Sequence, residues 1–365
     1  MKITSFEATT LNIPEDDPLA NMPEEEGRTR PVVILRLRTD NGIEGIGLTF
    51  YGGKMTGSLR KAVDELAELT IGEDPMRIEH ITRKLRLAAG DSAGPGGIFM
   101  LAISAIDIAL WDIKGKALDQ PLWKLLGGHR DRVPTYASGS LRRGLTDNQA
   151  QRAAQILVQK GFTEMKTQMA LPGNPTVAEE VRRVRVVREA IGPDIKLMCD
   201  INQRWRPEQA IDIGSRIADV GLFWLEDVTA HDDYAGLARV TAALSTPIAG
   251  GEYVWGIVPF RHMIEARSVD IVMVDIVRVG GVTQWMKVAG MAEAFNLPIV
   301  SHVMPEILVH VVAAAPNGLT VEYMPWMLAL YEETPAIENG MLVLPNKPGL
   351  GLKFDEKAVA AFRAG

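Results

Sequence analysis

Cysteine is almost absent from this chain: Cys199 is the only one in 365 residues. One cysteine excludes an internal disulfide and any cysteine-based metal cluster. Long apolar runs are missing too, and nothing approaches the ~20 residues needed to cross a bilayer. There is no dense Lys/Arg block, and the net charge of −7 argues against a nucleic-acid or anionic-membrane partner. The opening segment MKITSFEATTLNI alternates like a strand and lacks the apolar core of a signal peptide, so a cytoplasmic protein is expected. What remains is ordinary for a globular chain, with 47% hydrophobic and 23% charged residues. The length suits one large domain plus a smaller one. The acidic balance carries a clue: carboxylates gathered in one place call for a cation among them.

The first third reads as strands and then helices. Alternating runs at Ile3–Leu11 and Val32–Arg38 and the run Ile43–Leu48 form a small meander, with Asp40-Asn41-Gly42 as the hairpin signal. Pro14–Arg30, rich in Pro, Glu and Asp, carries no periodicity and reads as a mobile loop; Tyr51-Gly52-Gly53-Lys54 is a second loop. Helical patterns follow at Ser58–Leu69, Met76–Leu87 and Phe99–Ala117. From about Val133 short apolar runs alternate with amphipathic stretches. The runs are Pro134–Ser138, Glu164–Gln168, Lys196–Ile201, Leu222–Glu226, Pro247–Gly251, Ile271–Asp275, Pro298–His302 and Leu319–Glu322. Helical patterns such as Asp147–Lys160, Val177–Ile191, Pro207–Val220 and Thr283–Phe295 lie between them. Eight strands alternating with helices predict a closed parallel barrel. The fold class is therefore α/β, a TIM-type (β/α)7β barrel over residues 131–325. An α+β capping domain is expected from residues 1–130, with a turn-rich segment, 326–365, returning to it.

In such a barrel the C-terminal strand ends face the active site. Read in order, those positions hold Lys166 and Gln168, Asp200 with Asn202, Glu226, Glu252, Asp275, His302 and Glu322. Asp200, Glu226 and Glu252 follow one another at a regular interval of 26 residues. On strands about 4.8 Å apart, three ionised carboxylates repel. An all-oxygen site with open positions answers that repulsion with Mg²⁺. The bland reading, that each acid caps a helix or pairs with an arginine, suits one acid better than three in register. Asp275 and His302 end neighbouring strands, and a carboxylate beside an imidazole sets its tautomer and raises its basicity. His80, His129, His262 and His310 sit in helical or loop contexts and read as structural; His231 lies close enough to the barrel mouth to contact substrate. Lys166 can neutralise a substrate carboxylate or pair with a strand-end acid. Gly280-Gly281 after strand six permits a tight turn.

These residues resemble the mandelate racemase subgroup of the enolase superfamily, over essentially the whole chain. Met-Cys-Asp200-Ile-Asn202-Gln203, Trp-Leu-Glu226-Asp and Gly-Gly-Glu252 look like its three magnesium-ligand motifs. Val-Asp275-Ile-Val-Arg278-Val-Gly-Gly, followed by Ser-His302, looks like its Asp–His dyad. Glu322 in Val-Glu-Tyr looks like the strand-eight glutamate that hydrogen-bonds substrate. The stretch from Ala102 to Lys116, containing Asp107 and Asp112, matches its N-terminal signature. The resemblance implies Mg²⁺ bound by Asp200, Glu226 and Glu252, with His302, Asp275 and Lys166 as the catalytic set. It also implies a homo-oligomer and a capping domain, formed in part by Pro14–Arg30 and Tyr51–Lys54, that closes over a small carboxylate. Gln168, Asn202, Glu322, Tyr51 and Lys54 are the candidates for substrate contact. One departure matters: the family's Lys-x-Lys is here Lys166-Thr167-Gln168, and an amide takes up no proton at neutral pH.

The expected activity is abstraction of the proton next to a carboxylate through an enediolate, ending in dehydration of an acid sugar to a 2-keto-3-deoxy acid. The run from His302 through Glu306 and His310 to Val-Glu322-Tyr-Met-Pro-Trp326 is similar to galactarate-type dehydratases. An epimerase or racemase is the alternative, and it needs a second base. A muconate-type cycloisomerase fits less well, because that subgroup has a lysine where Asp275 stands. A catalytically decayed metal-binding protein is the non-enzyme alternative.

Overall fold

The structure, a computed structural model, describes residues 1–22, 28–88, 94 and 96–364. Three N-terminal strands, β1 (Ile3–Pro14), β2 (Thr29–Thr39) and β3 (Glu44–Thr49), form an antiparallel sheet in that order. The β2–β3 hairpin turns at Gly42, whose φ of 81° suits the Asn-Gly signal. Because β1 runs on to Pro14 and β2 begins at Thr29, the loop expected over Pro14–Arg30 is shorter at both ends. Residues 23–27 of that loop lie outside the described residues. Helices α1 (Thr56–Glu68), α2 (Ile78–Ala88) and α3 (Gly97–Ala117) complete the layer, followed by the short α4 (Leu122–Leu125). The sheet meets α3 at Gly47, where an added Cβ would lie 2.0 Å from the Ala105 carbonyl oxygen. Only glycine allows so close an approach.

Eight parallel strands then follow: β4 (Arg132–Leu141), β5 (Glu164–Gln168), β6 (Lys196–Asp200), β7 (Trp224–Glu226), β8 (Ile248–Gly250), β9 (Ile271–Asp275), β10 (Ile299–His302) and β11 (Val321–Tyr323). They pair in sequence, β11 returns to β4, and an Ile299–Gly318 bridge joins β10 to the approach of β11. The intervening helices are α5 (Asp147–Gln159), α6 (Val177–Ile191), α7 (Pro207–Arg216), α8 (Tyr234–Ala243), α9 (Val258–Glu265), α10 (Ile276–Val279), α11 (Val282–Ala294) and α12 (Pro305–Ala314). No helix follows β11 before the tail, as the sequence reading expects. Reciprocal capping boxes, Thr146 with Gln149 and Thr176 with Glu179, satisfy the first N–H groups of α5 and α6. Inside the barrel, Tyr136, Met198, Trp224, Ala249, Ile271, Met273 and Val300 form a dry plug beneath the polar strand ends.

The tail reaches the N-terminal layer after a detour along the barrel. It first forms a hairpin, β12 (Ile337–Glu338) and β13 (Met341–Val343), and β13 pairs antiparallel with β4 at Arg132–Pro134. It then reaches the N-terminal sheet through a Leu11–Arg363 bridge and α13 (Glu356–Phe362). Buried Asp112 on α3 ties both ends together, accepting from the Ile46 and Leu350 backbone N–H groups and from Lys116.

Candidate active site

Where the barrel strands end, the backbone repeatedly enters the left-handed region. Ala170, Asn202, Gln203, Asp227, Val303 and Met304 all have φ between 42° and 64°. A strand points successive side chains to opposite faces. A left-handed residue breaks that alternation and admits neighbouring side chains to one mouth. The cost is of order 1–3 kcal/mol per residue, most severe for a β-branched residue such as Val303. Glu322 holds that turn, its Oε2 accepting from the Val303 N–H at 2.6 Å.

Asp200 and Glu226 are the last residues of β6 and β7 and pair in register. Glu252 lies two residues beyond the end of β8, so it does not terminate a strand as expected. A fourth acid, Asp227, joins them. Among the described residues, Glu226, Asp227 and Glu252 offer oxygens within 4.8 Å of one another, whereas Asp200 stands outside this tightest set. Sequence reasoning passed over Asp227, and its signal was the Glu-Asp doublet followed by a turn. All four acids are at most 3% exposed. Burial raises the carboxyl of Asp200 to about 6, with Lys166 lowering it and Glu252 raising it. Burial also raises Glu226, which Asp200 and Glu252 raise further against the pull of Lys166, and raises Asp227, with Glu252 and Asp200 adding to the effect. Among the described residues, Asp227 Oδ2 and Glu252 Oε2 have no hydrogen-bond donor. Crowded, dry, oxygen-only carboxylates with orphaned oxygens fit a hard divalent cation.

Lys166, midway along β5, reaches Glu226 and, at 2.8 Å, Glu322 Oε1. Burial lowers its proton affinity, but the two carboxylates outweigh burial and hold the ammonium well above the usual lysine range. Ser138 also donates to Glu322 Oε1, at 2.7 Å. His302 pairs in register with Asp275 across β10 and β9, and its Nδ1 lies 2.7 Å from Asp275 Oδ2. Asp275 is further held by the Val277 and Arg278 N–H groups and by the Tyr51 hydroxyl at 3.0 Å. Burial raises Asp275, but His302 and Arg278 lower it more, so it is an ionised acceptor. In the neutral imidazole, Nδ1 therefore carries the proton and Nε2 the lone pair. Nε2 sits 3.1 Å from Glu252 Oε2. Burial disfavours the imidazolium, but Glu252, whose charge a bound cation would offset, and Asp275 push His302 up to about 9; with that cation in place the neutral, lone-pair form is the one favoured.

Of these groups, Lys166, Asp200, Glu252, His302 and Glu322 line one cavity of about 330 Å³ between barrel mouth and N-terminal layer, while Glu226, Asp227 and Asp275 lie behind its wall. Gln168, Asn202 and Tyr51 line it as well. Gln168 Oε1 accepts from Arg143, and its amide N–H faces Asn202 Oδ1 at 3.4 Å. Lys54 is not brought to the cavity: it is exposed within a single 3-10 turn, Gly53–Met55. His231 stays outside too, bonded to Gln203. His310 is buried as a structural histidine, its Nε2 3.0 Å from the Leu350 carbonyl, and burial pushes it down to about 4.

Residues 9–127 match the mandelate racemase / muconate lactonizing enzyme N-terminal domain, and residues 148–358 match the enolase C-terminal domain-like family. The chain belongs to this family. It is therefore an enzyme of the enolase superfamily. L-talarate/galactarate dehydratase of Salmonella typhimurium is 34% identical over 353 residues, covering 95% of this chain and 87% of that one. A 3,6-anhydro-alpha-L-galactonate cycloisomerase of Streptomyces coelicolor is 33% identical, covering 92% of each. L-talarate dehydratase from Polaromonas sp. JS666, solved with Mg and L-glucarate, superposes with a TM-score of 0.89 at 30% identity, covering 100% of this chain and 98% of that one. This enolase-superfamily chain has the buried oxygen donors that such a cation requires, and Mg²⁺ is its cofactor. Among the described residues no helix is long and apolar enough to cross a membrane.

Proposed function

We propose that this family member dehydrates an acid sugar, converting a 2,3-dihydroxy acid to a 2-keto-3-deoxy acid. The observation that carries the reading is the His302–Asp275 pair at 2.7 Å beside a buried acid cluster, with an amide at position 168. Asp200, Glu226 and Glu252, with Asp227 beside them, would hold Mg²⁺. Bound there, Mg²⁺ supplies positive charge to offset that developing on the enediolate oxygens. Lys166, kept cationic by its two carboxylates, orients the substrate carboxylate. His302 Nε2 takes the α-proton, and the electron pair left behind forms the enediolate. The imidazolium then returns that proton to the 3-hydroxyl as its bond to carbon breaks, and water leaves. One residue serves both steps because the first charges it for the second. The enol left behind ketonises to the product. Gln168 orients a hydroxyl and cannot supply the opposed base that epimerisation needs.

The test is a panel of mono- and diacid sugars with Mg²⁺ in D₂O. Formation of 2-keto acid with loss of water is expected. Accumulation of a C2 epimer at the turnover rate, with no 2-keto acid, sinks the reading. The cycloisomerase among the relatives supports a second reading, in which the group expelled is a tethered ring oxygen; product and substrate would then have equal mass.

A further inference from the structure

The cavity has a second cationic pole that the reaction centre does not use. Arg30 lines it from β2, pairing opposite Ile13 in the β1–β2 ladder, so the side chain stands on a rigid strand. Its guanidinium lies 3.6 Å over the Trp326 ring. Its side chain is 16% exposed, its Nη2 stands 3.5 Å from Glu15 Oε1, and its Nη1 is buried without an acceptor among the described residues. Glu15 is shared, because Arg28 Nε holds its other oxygen at 2.9 Å. The neighbouring Asp17 is spent internally, accepting from the Leu19, Ala20 and Met22 N–H groups and from Ser140. Among the described residues, Arg30 is thus a desolvated cation with fewer acceptors than donors. Burial lowers its proton affinity, although Glu15 raises it. A guanidinium stacked flat on an aromatic face presents its fork in one plane, a geometry that matches a carboxylate.

We infer that Arg30, stacked on Trp326, binds a second carboxylate at the far end of the substrate, so that the enzyme selects diacid sugars over the matching monoacids. The inference rests on the acid-sugar reading for the near carboxylate, which meets Lys166 and the acid cluster across the same cavity. A charged hydrogen bond in a dry site is worth about 10- to 100-fold in binding.

The experiment compares a six-carbon aldarate with the aldonate of identical stereochemistry, in which the far carboxylate is a primary alcohol. The diacid is expected to show roughly 10- to 100-fold higher kcat/KM. Arg30→Met, which keeps an apolar contact with the Trp326 ring, should collapse that ratio to near one, chiefly through KM, and Arg30→Lys should restore part of it. Thermal melting of each variant checks folding. Equal kcat/KM for the two acids in the native enzyme, or a ratio unchanged by Arg30→Met, overturns the inference. Calorimetric titration with Mg²⁺ separates it from the dehydratase reading. Arg30-dependent diacid binding without turnover supports this inference while the reaction assignment fails. Binding of neither acid overturns both.

Discussion

His302 is poised by three carboxylates at once: Asp275 on Nδ1, Glu252 near Nε2, and Glu322 beneath the turn that follows it. Replacing it with asparagine keeps a polar group of similar size but removes the titrating nitrogen. Exchange of the α-proton with D₂O should fall roughly 10²- to 10⁴-fold, while binding of a substrate carboxylate persists. Exchange at the native rate would remove the base assignment. Asp227 offers a separate check. Its Oδ2 is buried and without a hydrogen-bond partner among the described residues, and the residue belongs to the tightest acid set. Asp227→Asn should weaken Mg²⁺ binding roughly 10- to 100-fold, read by direct metal titration. An unchanged affinity would leave Asp227 a purely structural acid.

At the scale of elements, the link between β9 and α11 depends on two glycines. Gly280 and Gly281 have φ of 104° and 95°, and a Cβ on Gly281 would lie 2.6–2.7 Å from the Asp107 side chain. Asp107, from α3, accepts from the Thr283 N–H at 3.0 Å and the Thr283 hydroxyl at 2.6 Å, closing the start of α11. The signature acid of the N-terminal region is thus a strut between that region and the barrel. Gly281→Ala forces both a disfavoured φ and a clash, and should lower stability by about 2–4 kcal/mol, seen as a drop in urea midpoint. A change under ~0.5 kcal/mol would mean the turn relaxes freely.

For the whole molecule, pH acts through a carboxyl that does not line the cavity. Glu306 on α12 is buried, both of its oxygens lack side-chain or backbone donors among the described residues, and burial raises it to about 7. Its folded value lies above the unfolded one. Its favourable contribution is therefore complete at acidic pH, below the unfolded value, and is lost as pH rises through about 7. Ionising it in place costs on the order of 3 kcal/mol. Glu306→Gln cannot ionise, so the variant should gain on the native protein between about pH 5 and about pH 8 in denaturant titrations. A stability gap independent of pH would show that the carboxyl does not titrate in the folded state.

The eight-strand alternation and the order of ionisable strand ends were legible in the amino-acid sequence, because apolar periodicity and turn residues are local properties. So was the loss of a second lysine at position 168, which is a matter of side-chain chemistry alone. The register that places His302 opposite Asp275, and Asp200 opposite Glu226, was readable only as an expectation from strand order. Other features were decided by tertiary structure. Asp227 joins the acids because a left-handed turn cancels the strand's two-residue period, which a linear pattern cannot report. Lys54 lies outside because a single 3-10 turn directs it to solvent, while Tyr51, three residues earlier, reaches Asp275. The tail pairs with β4 before it reaches the N-terminal sheet, a long-range contact with no local signature. Arg30 became visible only when β2 set it against Trp326, 296 residues further along the chain, because stacking and an orphaned N–H are properties of neighbours in space.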